Sequence, residues 1–401
     1  LTTDRAEDVA WLLTADAVRR RAHDLLEEAE AGRLTHFAVD PDKLDEAAAL
    51  VAEVTRAAYP DLDVPYHSRW RHFVVGANDR WAALSATLGA DADERARVRF
   101  DLAVTSVLLD AGAGERWRYR DAGGAVLARS EGLAIASFDL FRSGAFSSDP
   151  GSPLRADAAA LARFTADDLA RGFQVTADNP LVGLDGRAGL LRRLGGALEA
   201  SPALFGSPGR IGGLYDALKG EAVDGALPAE AILGAVLRGL GSIWPGRITL
   251  DGVNLGDAWR HPAAGILPFH KLSQWLSYSL VEPLEEAGIA VTGLDRLTGL
   301  PEYRNGGLLI DTGVLVPRHD GILDGTLEVG NEAVVEWRAL TVALLDRLAE
   351  RVRARLGVRP EDFPLAKVLQ GGSWSAGRAI ARQRRADGGP PIRILSDGTV
   401  F

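Results

Sequence analysis

Apolar positions recur at helical spacing along most of the chain. Residues 4–31 place Val9, Leu12, Leu13, Val18, Leu25 and Leu26 on one recurring face that Gly32 ends. A second helix is expected over 43–58, with Pro41 before it and Pro60 after it, and further helices over 78–88 and 92–110. After Gly112 and Gly114 the period drops to two. Trp117 and Tyr119 fall on one run, Val126 and Leu127 on the next, and Asp121-Ala122-Gly123-Gly124 lies between, which predicts one hairpin. Ser130 and Glu131 then open a helix through Leu133, Ile135, Ala136 and Phe138. Residues 155–300 read as largely helical, punctuated at Asp178-Asn179-Pro180, at 206–213 and at Trp244-Pro245-Gly246. Within them, 269–286 predicts a long helix despite Pro283. The most regular amphipathic pattern covers 331–356, and 375–385 carries a short helix before Gly388-Gly389-Pro390-Pro391 and a strand-like ending.

The fold expected from this pattern is mainly α, a multi-helix globular fold with one small β-hairpin. At 401 residues the chain exceeds one ordinary domain of roughly 150 residues, yet no linker composition divides it. One multi-lobed unit over 1–401 is expected, with lobes over 1–150 and 151–401. Apolar residues are 47% and charged residues 25%, which suits a large core and excludes disorder as the main state. The net charge is −10, with both signs interspersed, so neither nucleic acid nor anionic membrane is an expected partner. Cysteine is absent, which removes a thiol nucleophile, a thiolate zinc site and an iron–sulfur cluster. No apolar run approaches the ~18 residues of a membrane span, and the charged start, Leu1 to Asp8, reads as no targeting segment; a cytoplasmic location is expected.

The seven histidines show no H-E-x-x-H or i,i+4 pairing, so no metal and no cofactor is expected. His67 and His72 share one aromatic, cationic loop, Tyr66 to Phe73, read as site-lining, although hydrogen-bonded histidines are the commoner outcome. The glycines of 206–213 lack the Lys-Ser/Thr ending of a phosphate loop and read as a helix connection. More informative is the run Pro268 to Tyr278. There Lys271, Gln274, Trp275 and Tyr278 fall at i, i+3, i+4 and i+7, so one helix face is expected to carry a cation, an amide, an indole and a phenol. The run Leu297 to Gly307 sets Glu302 and Arg304 on either side of Tyr303 in a Gly/Pro-rich stretch. A carboxylate beside an aromatic wall and a fixed cation suits N-glycosidic hydrolysis. An ion pair of Glu302 with Lys271 or Arg304, tying two helices together, explains the same residues. The tail from Gly388 to Phe401 reads as docked, with packing as its simpler role.

Together, His67-Ser68-Arg69-Trp70-Arg71-His72-Phe73, Arg129-Ser130-Glu131-Gly132-Leu133, Asp178-Asn179-Pro180-Leu181, Pro268 to Trp275, Leu297 to Gly307 and the ending Ser396 to Phe401 resemble the uracil catabolism protein 4 family, long carried as a domain of unknown function. The resemblance covers nearly the whole chain. It implies a place in ring-opening uracil degradation, a route that requires cleavage of a ribosyl-urea type N-glycosidic bond. A second, shorter resemblance is to the queuosine-nucleotide salvage hydrolases, helical proteins similar in fold to DNA glycosylases. Phe269, Lys271 and Gln274 match one motif of that family, and Glu302, Tyr303 and Arg304 match another, with Glu in place of Asp; Asn305-Gly306-Gly307 departs from it.

These resemblances imply a helical fold of the DNA-glycosylase class and an N-glycoside hydrolase acting on ribosyl-urea or its 5′-phosphate. Glu302 is the expected catalytic carboxylate. Lys271, Gln274, Trp275, Tyr278, Tyr303, Arg304, His67 and Arg69 are the expected substrate-binding residues, and the partner is a small nucleoside or nucleotide breakdown product. The competing readings are a non-catalytic binder or regulator of the same pathway, and a ureido-acid amidohydrolase, which the missing Cys and the histidine spacing disfavour.

Overall fold

The structure is a computed structural model that describes residues 8–244 and 247–395. At its centre the helix Glu332–Leu356 packs against the helices Ala15–Glu30 and Leu44–Ala58. Asn331 starts the central helix by accepting the Ala333 N–H, and Gly357, at φ +73°, ends it in the left-handed region. A second layer pairs the helix Lys271–Glu286 with Ala92–Leu108 and Ala229–Leu240. The short helix Tyr303–Asp311 lies between the central helix and Trp374–Arg384. One apolar cluster runs through these layers, from Ala15 to Ile392.

The mainly α expectation holds, with two corrections. The first predicted helix is broken: Val9–Leu12 and Ala15–Glu30 are separate, because Thr14 turns its hydroxyl to the Ala17 N–H and caps the second. The single hairpin expected is one of seven two-stranded pairs among the described residues. The expected one, Tyr119–Arg120 with Val126–Leu127, is present. Two others occupy 249–268, a stretch read as helical: Thr249–Leu250 with Val253–Asn254, and Ala258–His261 with Gly265–Pro268. Asp251-Gly252 turns the first of these with both residues at positive φ, a two-residue hairpin signal that outweighs the apolar spacing around it.

Short pairs also tie distant segments together. Phe37–Val39 runs antiparallel to Leu315–Pro317, and Arg393–Leu395 runs parallel to Thr326–Glu328. The residues after Leu395, including the Ser396 to Phe401 ending, lie outside the described residues, as do Leu1 to Glu7 and Pro245-Gly246. No helix among the described residues is long and apolar enough to cross a membrane.

Candidate active site

A cavity of about 910 Å³ opens where the N-termini of three helices meet, those beginning at Arg129, Lys271 and Tyr303. Its wall includes His67, His72, Asp110, Arg129, Lys271, Trp275, Glu302, Tyr303, Arg304 and Trp374. The segment from Arg385 through Asp387 and 389–394 closes one side. That segment was expected to pack; it forms a cavity wall instead, held there by its strand pairing and by Arg304 Nη1, which donates to the Gly388 carbonyl at 3.0 Å.

Lys271 owes its position to a left-handed residue. His270, at φ +49°, turns the chain out of the strand Gly265–Pro268 into the helix, and its Nε2 lies 2.8 Å from the Leu12 carbonyl. Asp257 fixes the turn. Its backbone carbonyl accepts the Phe269 N–H, its carboxylate accepts the Lys271 N–H, and Arg338 grips the same carboxylate with two bonds of 2.8 Å. Burial works against the Asp257 charge, but the Arg338 guanidinium holds its carboxyl well below the usual aspartate range. Arg129 repeats the device at the neighbouring helix: it stands at φ +55°, an unfavourable setting for a long side chain, and reaches the cavity from there.

Glu302 caps the helix Tyr303–Asp311. Its two oxygens accept the backbone N–H groups of Asn305 at 2.6 Å and Arg304 at 2.8 Å. Burial pushes the Glu302 carboxyl above the usual glutamate range, while those two donors and the charges of Lys271 and Arg304 pull it down. Burial likewise lowers Lys271, against the attraction of Glu302. Two close approaches set this helix: a Cβ on Gly306 would lie 2.6 Å from the Trp337 ring, and one on Gly377 would lie 2.2 Å from the Arg304 carbonyl. Asn305, fully buried, donates to the Leu300 carbonyl and accepts from Ser373.

The face predicted on the Lys271–Glu286 helix divides in two. Lys271 and Trp275 line the cavity. Gln274 and Tyr278 do not: they turn into the core and hold Thr298. Gln274 accepts the Thr298 N–H at 3.0 Å and donates to its hydroxyl at 2.5 Å, and the Tyr278 hydroxyl donates to the Thr298 carbonyl at 3.1 Å. The expectation that these two residues touch substrate is corrected; they position the run that leads to Glu302. Arg69 is also moved back from the surface of the site. It is fully buried, pairs with Asp110 at 3.1 Å, donates to Ser106 and lies 5.6 Å from the Trp275 ring centre.

His67 and His72 each pack on Trp275: the ring centroids lie 6.3 and 5.8 Å from the indole. Burial pushes both imidazoles down to about 4, so they are neutral at pH 7. Nδ1 of His67 donates to Gln370 Oε1 at 3.1 Å, and Gln370 sits in the π-helical turn Leu369–Ser373 that leads to Trp374.

Asp110 was not singled out from the sequence, and no motif marks it. One of its oxygens pairs with Arg69; the other, Oδ1, is buried without a hydrogen-bond partner, as are Trp275 Nε1, His72 Nδ1 and Arg304 Nε. These four atoms belong to residues that line the cavity. The loop that presents Asp110 is held by buried Arg187, which donates to the carbonyls of Leu109, Ala111 and Gly112. The Gly-rich run 206–213, by contrast, joins the helices Pro202–Phe205 and Gly213–Glu221 away from this cavity.

Comparison with known proteins supplies the remaining observation. A family model described as a protein of unknown function, DUF1688, matches residues 11–401. Protein urg3 of Schizosaccharomyces pombe is 43% identical over 405 residues, covering 98% of this chain and 99% of the relative. Uracil catabolism protein 4 of Lachancea kluyveri is 38% identical over 436 residues, with the same coverage of 98% and 99%.

Proposed function

Since the chain belongs to the DUF1688 family, with a relative named for uracil catabolism, we propose that it is an N-glycoside hydrolase of ring-opening pyrimidine breakdown. In this reading it cleaves ribosyl-urea, or its 5′-phosphate, to urea and ribose or ribose phosphate. It is a cytoplasmic enzyme with a small-molecule partner, and its helical body is akin to the DNA-glycosylase class.

The observation that carries the reading is Glu302, a half-buried carboxylate fixed by two backbone donors on a cavity that also holds Lys271 and the Trp275 indole. As the bond between the anomeric carbon and the urea nitrogen breaks, the electron pair leaves with nitrogen and positive charge develops on the sugar. A pre-oriented carboxylate, in its ionised form, stabilises that charge without reorganising. Water then adds its oxygen to the anomeric carbon, and its proton passes by way of Glu302 to the leaving nitrogen. Asp110, on the same cavity wall, is the candidate to accept hydrogen bonds from sugar hydroxyls. Lys271, Arg129 and Arg304 supply positive charge for a phosphate, whereas neutral His67 and His72 supply none at pH 7.

The test is release of urea and ribose from ribosyl-urea and from its 5′-phosphate by the purified protein. Urea from either substrate supports the reading, and the ratio of the two rates reports the use of the phosphate. One feature favours a non-catalytic binder: both Glu302 oxygens are already occupied as a helix cap. Saturable binding of the 5′-phosphate with no urea released selects that alternative.

A further inference from the structure

Three of the seven histidines converge on one spot outside the cavity. His36 precedes the strand Phe37–Val39, and His319 follows its antiparallel partner Leu315–Pro317; the Arg318 N–H donates to the His36 carbonyl and brings the two rings together. His36 Nδ1 lies 2.9 Å from His319 Nε2. On its other side, His36 Nε2 lies 3.3 Å from Glu332 Oε1. Glu332 and Glu336 occupy successive turns at the start of the central helix and so share a face. One ligand atom from each of His36, Glu332 and Glu336 falls within 4.8 Å of the others.

Glu336 makes this more than a polar cluster. Its side chain is fully buried, and among the described residues no Lys or Arg lies within ion-pair distance of it. Oε1 accepts the N–H groups of Phe37 at 2.7 Å and His36 at 3.3 Å, while Oε2 has no hydrogen-bond partner. His261 Nε2, also without a hydrogen-bond partner, stands 3.6 Å from that oxygen. The Ala263 N–H donates to His261 Nδ1, which leaves Nε2 as the ring nitrogen facing Glu336. A buried carboxylate oxygen without a hydrogen-bond partner is costly, and a bound ion satisfies it.

We propose that His36, Glu332 and Glu336 bind a divalent first-row metal ion, with His319 and His261 orienting the ligands from behind. One imidazole and two carboxylates give a neutral site around a 2+ ion, with a mixed donor set that suits Zn²⁺ or Mn²⁺ over Mg²⁺. Ligand atoms at roughly 2.0–2.1 Å from a tetrahedral zinc are about 3.3 Å apart, the separation of His36 Nε2 from Glu332 Oε1. The ion would cross-link the strand after His36, the strand before His319 and the first turn of the central helix. Its role is structural, and the site is independent of the hydrolase reading.

The test uses the full chain, stripped with a chelator, dialysed, and titrated with ZnCl₂, MnCl₂ and MgCl₂ by calorimetry, with bound metal counted by mass spectrometry. One equivalent of Zn²⁺ or Mn²⁺ and a higher melting temperature are expected. Glu332→Gln, at the solvent-facing edge of the cluster, should melt like the chelated wild type and bind the metal at least tenfold more weakly. His319→Gln should weaken binding by about 10–100-fold, as loss of a ligand-orienting partner does. Absence of saturable binding in the wild type, or undiminished binding in both Glu332→Gln and His36→Asn, overturns the proposal.

Discussion

Two faces of the helix Lys271–Glu286 carry similar chemistry and do opposite things. Gln274 and Tyr278 spend their polar groups on Thr298, with all three bonds closed inside the protein. Trp275, one residue along, has a buried indole N–H without a hydrogen-bond partner and lines a cavity it shares with Lys271, Glu302 and Asp110. The closed face builds rigidity, and the open face offers recognition. A site of this kind needs both, because a fixed carboxylate contributes to catalysis only if the run that carries it does not move.

The contrast can be broken most severely at the brace behind the helix. Asp257→Ala leaves Arg338 buried without its carboxylate and should cost about 3–5 kcal/mol in urea unfolding. The same pair predicts an acid dependence. The folded Asp257 carboxyl titrates below its unfolded value, so its contribution is full above about pH 4 and is lost as pH falls toward the folded value. Stability of the variant should therefore fall less than that of wild type below pH 4.

A finer cut separates the two faces directly. Gln274→Ala strips Thr298 of two partners and should destabilise by about 2–3 kcal/mol, shifting Glu302 and lowering kcat. Trp275→Leu should act on ligand affinity, by about 0.5–1.5 kcal/mol for the lost aromatic surface, beside the packing cost of a residue enclosed by the core. If Gln274→Ala left unfolding unchanged, or if Trp275→Leu lowered stability as much while sparing affinity, the division would fail.

At pH 7 the smallest effect is expected at His67, where the imidazole is neutral in the folded chain and mostly neutral in the unfolded one. Its folded value of about 4 lies below the unfolded one, so the unfolded chain takes up a proton first and stability declines as pH falls from 6.5 to 4. His67→Gln should flatten that decline in unfolding midpoints measured at half-unit steps of pH.

The helices were legible because amphipathic spacing and end signals agreed, as at Asn331 and Gly357 around the central helix. The Lys271, Trp275 and Glu302 part of the cavity was legible for a different reason: polar and aromatic groups stood where a core helix would carry Leu or Val. Spacing could not show which of those groups would close on each other, since Thr298 reaches Gln274 only through the fold. Asp110 left no trace, because an aspartate at a helix end is common and its partner Arg69 is distant in sequence. The strand pairs at 249–268 were missed although Asp251-Gly252 is a hairpin signal, because the strands it joins are only two residues long and leave little alternation to read.

The most direct test compares urea release from ribosyl-urea 5′-phosphate by wild type and by Glu302→Gln, with ligand binding measured on both. Gln retains one acceptor for the helix cap and removes the charge, so a rate loss on the order of 10²–10⁴-fold is predicted, with folding intact and affinity little changed. Urea release at the wild-type rate by the folded variant would remove Glu302 from the mechanism and contradict the account.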